Sequence, residues 1–385
     1  MPTASTKKKR VLFTSHTANF QKFNQPYILM LRGKLKTPYK RYNYDQACEV
    51  HYASANEEKI QNVDQSFKVD FCRNPFNILA QYKAYRQLKK IIDTGNYDLI
   101  HTHTPSGSVI TRLAARKTRK KNGTKVIYTC HGFQFYEGGP VLDWILWYPV
   151  EKFMSRYCDL IITINSEDYA LARKHFTKTK VKQINGVGVD KTKFKPSLSA
   201  KRKSALRKKL KLSDDDFVIS YVAEFIPRKN HRMLLTSIQG IINDHPDIHV
   251  LLIGNGVLKE RIEYLARSFN IEKNIHFLGY RQDVPDLLEI SDLYVSTSKN
   301  EGLGLNILEA CLMGCPVVAT DNRGHSEITN AQAKYLVGPD DTDTLADKII
   351  LAYRGAVKYK LKFPEKFALK ESLEKMRKIY QQYIK

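Results

Sequence analysis

Short apolar runs alternate with longer, half-polar segments along almost the whole chain. These runs span residues 11–15, 98–103, 125–130 and 159–164 in the first half, and 217–222, 249–254, 275–279, 293–297 and 316–320 in the second. Strands that are apolar on both faces and alternate with helices are typical of a parallel sheet covered on both sides. Two such series predict an α/β protein with two Rossmann-like, doubly wound domains.

A polar, strongly basic segment separates the two series of strands. Residues 197–216 read SLSAKRKSALRKKLKLSDDD and carry few large apolar side chains, so we expect the domain boundary between Val189 and Asp214. We therefore place the first domain at 1–190 and the second at 191–363. Apolar side chains recur along one side of residues 364–385, which predicts a final helix. Further local predictions are helices at 27–33 and 108–121 and a helix N-cap at Ser166.

The charge of the chain is far from balanced. Of the 385 residues, 63 are Lys or Arg and 39 are Asp or Glu, which gives a formal net charge of +24. Such an excess favours phosphate-rich partners, namely nucleic acid, anionic lipid or phosphorylated substrates. The basic residues are dispersed and no nucleic-acid-binding module is recognisable, so we expect no nucleic-acid partner.

Three absences from the sequence narrow the class of protein. The six cysteines lack the spacing of a metal site, so we predict no metal, and they suit a reducing cytoplasm. No window approaches 18 uncharged apolar residues, which predicts a soluble or peripheral protein rather than a membrane-spanning one. The first strand is not followed by G-x-G-x-x-G, which argues against a dinucleotide-dependent oxidoreductase.

The segment after the strand at 293–297 carries the most specific chemistry. Two glutamates, Glu301 and Glu309, lie eight positions apart, with a glycine-rich turn into a short helix between them. The donor-binding candidates in that turn are Gly302, Leu303, Gly304 and Leu305. The start of a helix presents free backbone N–H groups and a positive dipole end, which suit a phosphate. Helical side chains lean toward the helix start, so Glu309 can reach the same ligand as Glu301. The segment therefore predicts a nucleotide-sugar site, with a carboxylate at either end of a diphosphate.

Other candidates follow the remaining strands of the second domain, because ligands of doubly wound sheets bind at the carboxyl ends of strands. Arg228 and Lys229, after the strand at 217–222, can neutralise a diphosphate and stabilise it as a leaving group. The next two strands lead into turns where a glycine permits close approach of the backbone to a ligand. The donor-binding candidates in these turns are Gly254, Asn255, Tyr280 and Arg281.

The order of two glutamates and two glycines, followed by Gly-Cys-Pro-Val-Val-Ala-Thr at 314–320, resembles the E-x7-E signature of family-4 retaining glycosyltransferases. The resemblance implies the GT-B fold, with two Rossmann-like domains around a central cleft and the C-terminal helix packed on the first domain. It implies a metal-independent glycosyltransferase that needs no cofactor and takes its sugar from a nucleotide-sugar donor, for which we expect UDP. The loop at Tyr280 and Arg281 would lie near the nucleotide base.

The resemblance also implies roles for individual side chains. Glu309 would hold the ribose, Glu301 the donor sugar and Lys229 the diphosphate. The family has an Arg where this chain has Glu224, so Arg228 is the candidate replacement. That departure leaves a non-catalytic partner subunit as an alternative, and a sugar-nucleotide epimerase on the same fold is a second one.

In the first domain the resemblance points to His131, which follows the strand at 125–130. The family places a histidine there, close to the transferred sugar, so His131 joins Lys229 and Glu301 as a predicted catalytic residue. The motifs HTH, HGFQFYEG, YPVEKFMSRY and INGVGVD are closest to the bacterial enzymes that build capsular or exopolysaccharide repeat units. The predicted acceptor or cleft residues are His16, His103, Thr104 and Asn165.

The expected acceptor is a saccharide or a polyprenyl-diphosphate-linked saccharide. Segment 144–156 combines Trp144 and Trp147 with Lys152 and Arg156. Tryptophan suits a bilayer interface and basic residues attract anionic lipid, although a core helix packed with aromatics has the same pattern. We expect a cytoplasmic enzyme, and the segment raises the hypothesis of peripheral attachment to an anionic membrane surface at the inner face of the plasma membrane.

Overall fold

A computed structural model describes residues 8–55, 60–72, 74 and 76–384, with only the backbone of Asn19. The chain divides into two compact units, Met1–Gly188 with Leu369–Lys385, and Val189–Ala368. From the sequence we predicted that the first domain ends at residue 190 and that the C-terminal helix begins at residue 364. Each unit is built on one parallel sheet flanked by helices, which confirms the predicted α/β class with two Rossmann-like domains.

The described part of the first domain contains a seven-stranded parallel sheet in the order β3-β2-β1-β4-β5-β6-β7. Its strands are β1 Arg10–Thr14, β2 Glu49–Ser54, β3 Gln65–Lys68, β4 Leu99–His103, β5 Lys125–Thr129, β6 Leu160–Thr163 and β7 Lys180–Gln183. The chain builds one edge from β1 to β3, then returns to β4 and builds the other edge. The reversal between β1 and β4 is the kind of switch point at which doubly wound sheets bind ligands.

Helices connect these strands and cover the sheet. They are α1 Gln21–Leu31, α2 Ile78–Gly95, α3 Pro105–Ala114, α4 Arg116–Asn122, α5 Val141–Ser155 and α6 Ser166–His175. The apolar sides of α2, α3, α5 and α6 share one hydrophobic core on the same face of the sheet. Across the described residues, we find no helix with both the length and the apolarity to cross a bilayer.

The second domain repeats this arrangement with six described strands in the order β10-β9-β8-β11-β12-β13. The strands are β8 Phe217–Val222, β9 Ile248–Ile253, β10 Ile275–Gly279, β11 Leu293–Ser296, β12 Val317–Thr320 and β13 Leu336–Val337. Its helices are α7 Ala200–Lys209, α8 His231–Asp244, α9 Lys259–Ser268, α10 Val284–Glu289, α11 Leu305–Leu312, α12 Arg323–Thr329 and α13 Thr342–Tyr353. The switch point here lies between β8 and β11, which brings the loops after these two strands together.

The C-terminal helix α14, Leu369–Tyr383, belongs to the first domain. Ser372 hydrogen-bonds the hydroxyl of Tyr27 at 2.6 Å and donates to the carbonyl of Gly186 at 2.8 Å. The hydroxyl of Tyr380 lies 2.8 Å from Nδ1 of His101 on β4. The helix therefore packs on the first domain, as the family resemblance implied, and it fixes one side of the central strand.

The second unit begins at Val189, at the edge of the expected boundary, and α7 occupies the centre of the polar segment at 197–216. Leu206 and Leu210 of this helix pack against the core of the second domain. Arg207 donates to the carbonyls of Asp216 and Ile290, at 2.7 and 2.8 Å. The segment is thus held by a few apolar contacts, by Arg207 and by Glu289, which accepts from the N–H groups of Ser197 and Leu198. Composition alone does not reveal this pattern.

Several local predictions also differ from the structure. The predicted helix at 108–121 is divided in two at Ala115, and α1 begins well before residue 27. Asn165, rather than Ser166, caps α6, since its side chain accepts from the N–H of Asp168 at 2.8 Å. Strands β3, β7 and β13 were not predicted because they are short or carry exposed polar side chains. Strand β2 was missed although it is buried, because Glu49, His51 and Ser54 interrupt its apolar run.

Candidate functional site

The glycine-rich turn leads into α11 as the sequence predicted. Gly304 is the N-cap residue at φ +53°, and a Cβ at this position would lie 2.9 Å from Cδ2 of His325. Both the left-handed backbone and the contact with the ring therefore require glycine. Gly304 itself has no side chain to cap this end of α11, and the N–H of Ile307 already donates to the carbonyl of Gly304 and to Oδ1 of Asn306. The start of the helix can therefore offer an anionic ligand only the N–H groups that precede Ile307.

The carboxylate of Glu301 is held by the two cations that were predicted to bind a diphosphate. Nη1 of Arg228 donates to Oε2 of Glu301 at 2.8 Å, and Nζ of Lys229 donates to Oε1. Arg228 also donates to the carbonyl of Asn300 at 2.7 Å. Burial favours the neutral acid, but the charges of Lys229 and Arg228 prevail and lower the pKa of Glu301 to about 2. Glu301, which is only 8% exposed, is therefore ionised throughout the physiological pH range.

A network of hydroxyl groups fixes the backbone of Lys229. The hydroxyl of Tyr221, on β8, donates to the carbonyl of Lys229 at 2.6 Å and lies 3.0 Å from Oγ of Ser298. Thr297 donates to the carbonyl of Asn230 at 3.0 Å. These buried contacts connect the loop after β8 to the loop after β11. They explain how residues 72 positions apart in sequence, such as Lys229 and Glu301, meet in space.

Three residues at the start of α12, namely Asn322, Gly324 and His325, support the same turn and were not predicted from the sequence. A Cβ on Gly324 would lie 2.7 Å from the carbonyl oxygen of Glu301, so only glycine permits this packing. Asn322 caps α12 and donates to the carbonyl of Ser298 at 2.8 Å. All three residues follow β12. Because ligands of doubly wound sheets bind at the carboxyl ends of strands, the same reasoning would have predicted them.

The third of these residues, His325, lies buried beneath Gly304. Its Nδ1 is 2.7 Å from the carbonyl of Thr320 and its Nε2 is 3.3 Å from Oγ of Ser296. Burial lowers the pKa of His325 to about 4, against the opposing effect of Glu301. The imidazole is thus neutral at physiological pH.

The glycines of the loop after β9 have a structural reason to be there. A Cβ on Gly254, at φ +149°, would lie 2.0 Å from the carbonyl oxygen of Ala223, and Gly256 packs as closely on Phe225. The N–H of Phe225 donates to the carbonyl of Asn255 at 3.0 Å. The loop is therefore packed on the segment that follows β8. A donor-binding role for Gly254 and Asn255 stays a prediction.

The remaining donor candidates differ in what they offer a ligand. Leu303 is 4% exposed, so its side chain belongs to the core and only its backbone can face a ligand. Tyr280 is 72% exposed, whereas Arg281 is paired with both carboxylate oxygens of Asp283. Leu305 and Glu309 lie half-buried on α11. Arg228, Lys229 and Glu301 are the predicted residues that direct hydrogen bonds bring together.

In the first domain, two predicted residues meet at the carboxyl edge of the sheet. Nδ1 of His103, at the end of β4, lies 3.1 Å from Nε2 of His131, after β5. The ring of Phe20 packs edge-on against His131, with 4.6 Å between the ring centres. Burial lowers the pKa of His131 to about 3. Both imidazoles are therefore neutral at physiological pH and can exchange hydrogen bonds with an uncharged hydroxyl.

Two further acceptor candidates, His16 after β1 and Thr104 after β4, lie beside the pair of His103 and His131. The N–H of His16 donates to Oγ1 of Thr104 at 3.1 Å, and Nδ1 of His16 is 3.4 Å from Oγ of Ser106. Thr104 has a φ of +66°, which is unusual for a β-branched residue and is typical of functional turns. The structure therefore gathers His16, His103 and Thr104 around one turn at the switch point.

Asn165 lies at the end of β6 and has a structural role of its own. Its amide caps α6 and also donates to Oδ2 of Asp168 at 2.8 Å. The N–H of Phe133 donates to the same carboxylate oxygen at 3.3 Å. Asn165 thus orders the loop that follows His131, and direct contact with an acceptor stays a prediction. Within the described residues, no group of three or more His, Cys, Asp or Glu side chains is arranged to hold a metal ion.

Comparison with known proteins identifies the family. Residues 44–190 match the profile of Glycosyltransferase Family 4, and residues 202–367 match that of Glycosyl transferases group 1. EpsD of Bacillus subtilis, a protein assigned as a glycosyltransferase, is 36% identical over 355 residues, which cover 90% of this chain and 92% of EpsD.

A second relative and a solved structure agree with that match. An Escherichia coli enzyme, UDP-Gal:alpha-D-GlcNAc-diphosphoundecaprenol alpha-1,3-galactosyltransferase, is 28% identical over 74% of this chain and 73% of its own length. Anabaena HepE, crystallised with UDP and glucose, has the same fold, with a TM-score of 0.74 at 20% identity over 97% of this chain and 100% of HepE. This chain therefore belongs to the family-4 glycosyltransferases and has their GT-B fold.

Proposed function

We propose that this protein is a retaining, metal-independent glycosyltransferase of exopolysaccharide or capsule biosynthesis. It would move a sugar from a UDP-sugar donor to a saccharide or lipid-linked saccharide acceptor. The observation that carries the proposal is the joint position of Lys229, Arg228 and Glu301 beside the uncapped start of α11. Two cations and a helix start suit a diphosphate, and a carboxylate suits the hydroxyls of a sugar.

The donor chemistry follows from these groups. When the bond between the sugar and the diphosphate breaks, negative charge develops on the leaving diphosphate. Lys229, Arg228 and the N–H groups of α11 would stabilise that charge without a metal ion. Glu309, on α11, would bind the ribose. UDP as the nucleotide is supported by HepE, which was crystallised with UDP, and by the E. coli relative, whose name specifies UDP-Gal.

Arg228 would compensate for the glutamate at position 224. Glu224 is exposed, whereas Arg228 contacts both Glu301 and the backbone of Asn300. The second cation would thus come from the other end of the same loop. This contact favours a working enzyme over a non-catalytic partner subunit.

The acceptor would bind in the first domain, near His131 and His103. A neutral imidazole pair can orient a hydroxyl group through hydrogen bonds. The E. coli relative acts on a diphosphoundecaprenol-linked sugar. A polyprenyl-linked acceptor would bring this protein to the inner face of the plasma membrane.

The test is a transfer assay with purified protein and a panel of nucleotide sugars. We expect release of UDP from one UDP-sugar in the presence of a diphosphopolyprenol-linked acceptor, and a product with the anomeric configuration of the donor by NMR. Excess EDTA should leave the rate unchanged. Lys229→Ala should abolish transfer, while Arg261→Ala, an exposed substitution on α9, should not. Failure to release any nucleoside diphosphate with any donor would contradict the proposal.

A further inference from the structure

Helix α5 shows an unusual distribution of apolar side chains. Trp144, Trp147 and Tyr148 pack inward against the core of the first domain, and Nε1 of Trp144 donates to the carbonyl of Tyr136 at 3.0 Å. The tryptophans therefore do not form the interfacial belt that the sequence suggested. The apolar side chains on the outside of the helix are other residues.

The outer face of α5, here called the α5 stripe, consists of aliphatic residues and one phenylalanine. Their side chains lie on one side of the helix over about three turns. The exposed fractions are 74% for Val141, 63% for Leu142, 63% for Ile145, 39% for Leu146, 39% for Val150 and 49% for Phe153. An apolar patch of this extent marks an interaction site, because soluble surfaces rarely leave such patches uncovered.

Basic side chains continue the α5 stripe at its C-terminal end. Lys152 and Arg156 are exposed, and the guanidinium of Arg156 lies 4.4 Å from the ring centre of Phe153. Arg116, at the start of α4, lies 5.9 Å from the ring centre of Tyr157. Three further residues of α4 are exposed and basic: Lys117, Lys120 and Lys121. The surface beside the stripe is thus strongly positive.

The acidic residues of α5 do not offset this charge. Glu151 is buried and forms an ion pair with Arg112 of α3 at 2.8 Å, so its charge is neutralised inside the domain. Asp143 is half-buried at the other end of the helix. The buried ion pair also fixes the rotation of α5, because it holds one side of the helix against α3. The apolar stripe is therefore kept on the outside.

We propose that the α5 stripe docks on the surface of an anionic lipid bilayer. Its aliphatic side chains would enter the headgroup region, and Lys152, Arg156 and the lysines of α4 would contact anionic headgroups. Two observations favour lipid over a protein partner. The stripe is a single convex helix face rather than a groove, and its side chains have no polar atoms to pair with a specific partner. The docking surface lies on α5 and α4, so it does not depend on which donor the enzyme uses.

The test is co-sedimentation of the full chain with lipid vesicles. We expect binding to vesicles of phosphatidylcholine and phosphatidylglycerol in equal parts, and much weaker binding to phosphatidylcholine alone. The double variant Leu142→Gln with Ile145→Gln should lower partitioning by at least about tenfold. Lys152→Gln with Arg156→Gln should lower it by about 30-fold, and high salt should have a similar effect.

Matched controls keep the proposal falsifiable. Tyr264→Gln removes an exposed aromatic of α9, 67% exposed, and should leave partitioning unchanged. Circular dichroism and thermal melts should match the wild type for every variant, because the substituted side chains are exposed. These measurements need no donor, so failure of the docking proposal would be distinct from failure of the proposed reaction.

Four outcomes would overturn the proposal. One is a wild type that does not bind anionic vesicles, and another is an equal loss in Tyr264→Gln. A third is loss of binding only when Ile78 and Leu79, two exposed residues at the start of α2, are replaced by Gln. The fourth is a concentration-dependent dimer of the wild type that the α5 double variant abolishes, since the stripe would then bind a second copy of the chain.

Discussion

Replacing Glu301 by Gln should strengthen the binding of free UDP, although it removes a predicted contact to the donor sugar. In the ligand-free protein, the carboxylate of Glu301 occupies Lys229 and Arg228, the two cations proposed to bind the diphosphate. A diphosphate must share these cations with the carboxylate and is also repelled by its charge. Glutamine has nearly the same shape and no charge. The variant therefore offers UDP two cations without a competitor.

The structure sets the size of this effect. Lys229 and Arg228 lower the pKa of Glu301 from 4.5 to about 2, in spite of burial. That change corresponds to on the order of 3 kcal/mol in favour of the ionised carboxylate. If the diphosphate had to displace the carboxylate completely, UDP would bind the variant more tightly than the wild type by that whole free energy. Since lysine and arginine have several N–H donors and can serve two anions at once, we expect a gain of about ten- to hundredfold in affinity.

Isothermal titration with UDP and UMP measures this directly. The dissociation constant of UDP should fall in Glu301→Gln, that of UMP should fall less, and the turnover of the UDP-sugar should drop. Glu260→Gln, an exposed substitution on α9, controls for a general change in charge. Unchanged or weaker UDP binding in Glu301→Gln would refute the idea that the ion pair competes with the diphosphate.

Three further predictions concern stability and are checked by urea denaturation. Gly304→Ala should lower the free energy of unfolding by about 1–2 kcal/mol for the left-handed backbone, and by more because the new Cβ meets the buried ring of His325. Gly314→Ala, at φ +76° with no atom within 4 Å of the new Cβ, should cost only the backbone part. Equal losses in the two variants would contradict the contact with the ring. Arg112→Met should cost about 3–5 kcal/mol because it leaves the buried Glu151 without a counter-charge, and a second change of Glu151→Leu should restore most of that loss. No restoration would argue against the ion pair as the cause. Burial lowers the pKa of His101 to about 3, so the unfolded chain takes up a proton at this position first as the pH falls below 6.5. His101 should therefore contribute a loss of stability on the order of 2 kcal/mol by pH 5, in addition to the losses from other buried histidines such as His131 and His325. His101→Gln should reduce the total loss by that amount, and an unchanged loss would contradict the lowered pKa.

Elements with uniform apolar runs were predictable from the sequence. Strands β8 and β10 begin and end where the pattern placed them, because β8 is largely buried, β10 is half-buried and both are bounded by polar turns. The contact between Glu301 and Lys229 was also foreseeable, since both residues follow strands of one doubly wound sheet. Such predictions need only local patterns and one rule of topology.

Other features depend on contacts that local patterns do not encode. Nothing in the sequence near Gly324 reveals that its missing Cβ makes room for the backbone of Glu301. Trp144 and Trp147 have the composition of a membrane belt, yet they fill a gap in the core of the first domain. Only the three-dimensional packing decides which side of an apolar helix faces inward.

The most direct test of the donor site is a thermal-shift panel of UDP, GDP, ADP and UMP against the wild type and Glu309→Ala. A ligand that binds only the folded state raises the melting temperature. Our account predicts a shift with UDP that exceeds the shift with UMP and is lost in Glu309→Ala. The absence of a shift with any nucleoside diphosphate, or an equal shift in the variant, would contradict it.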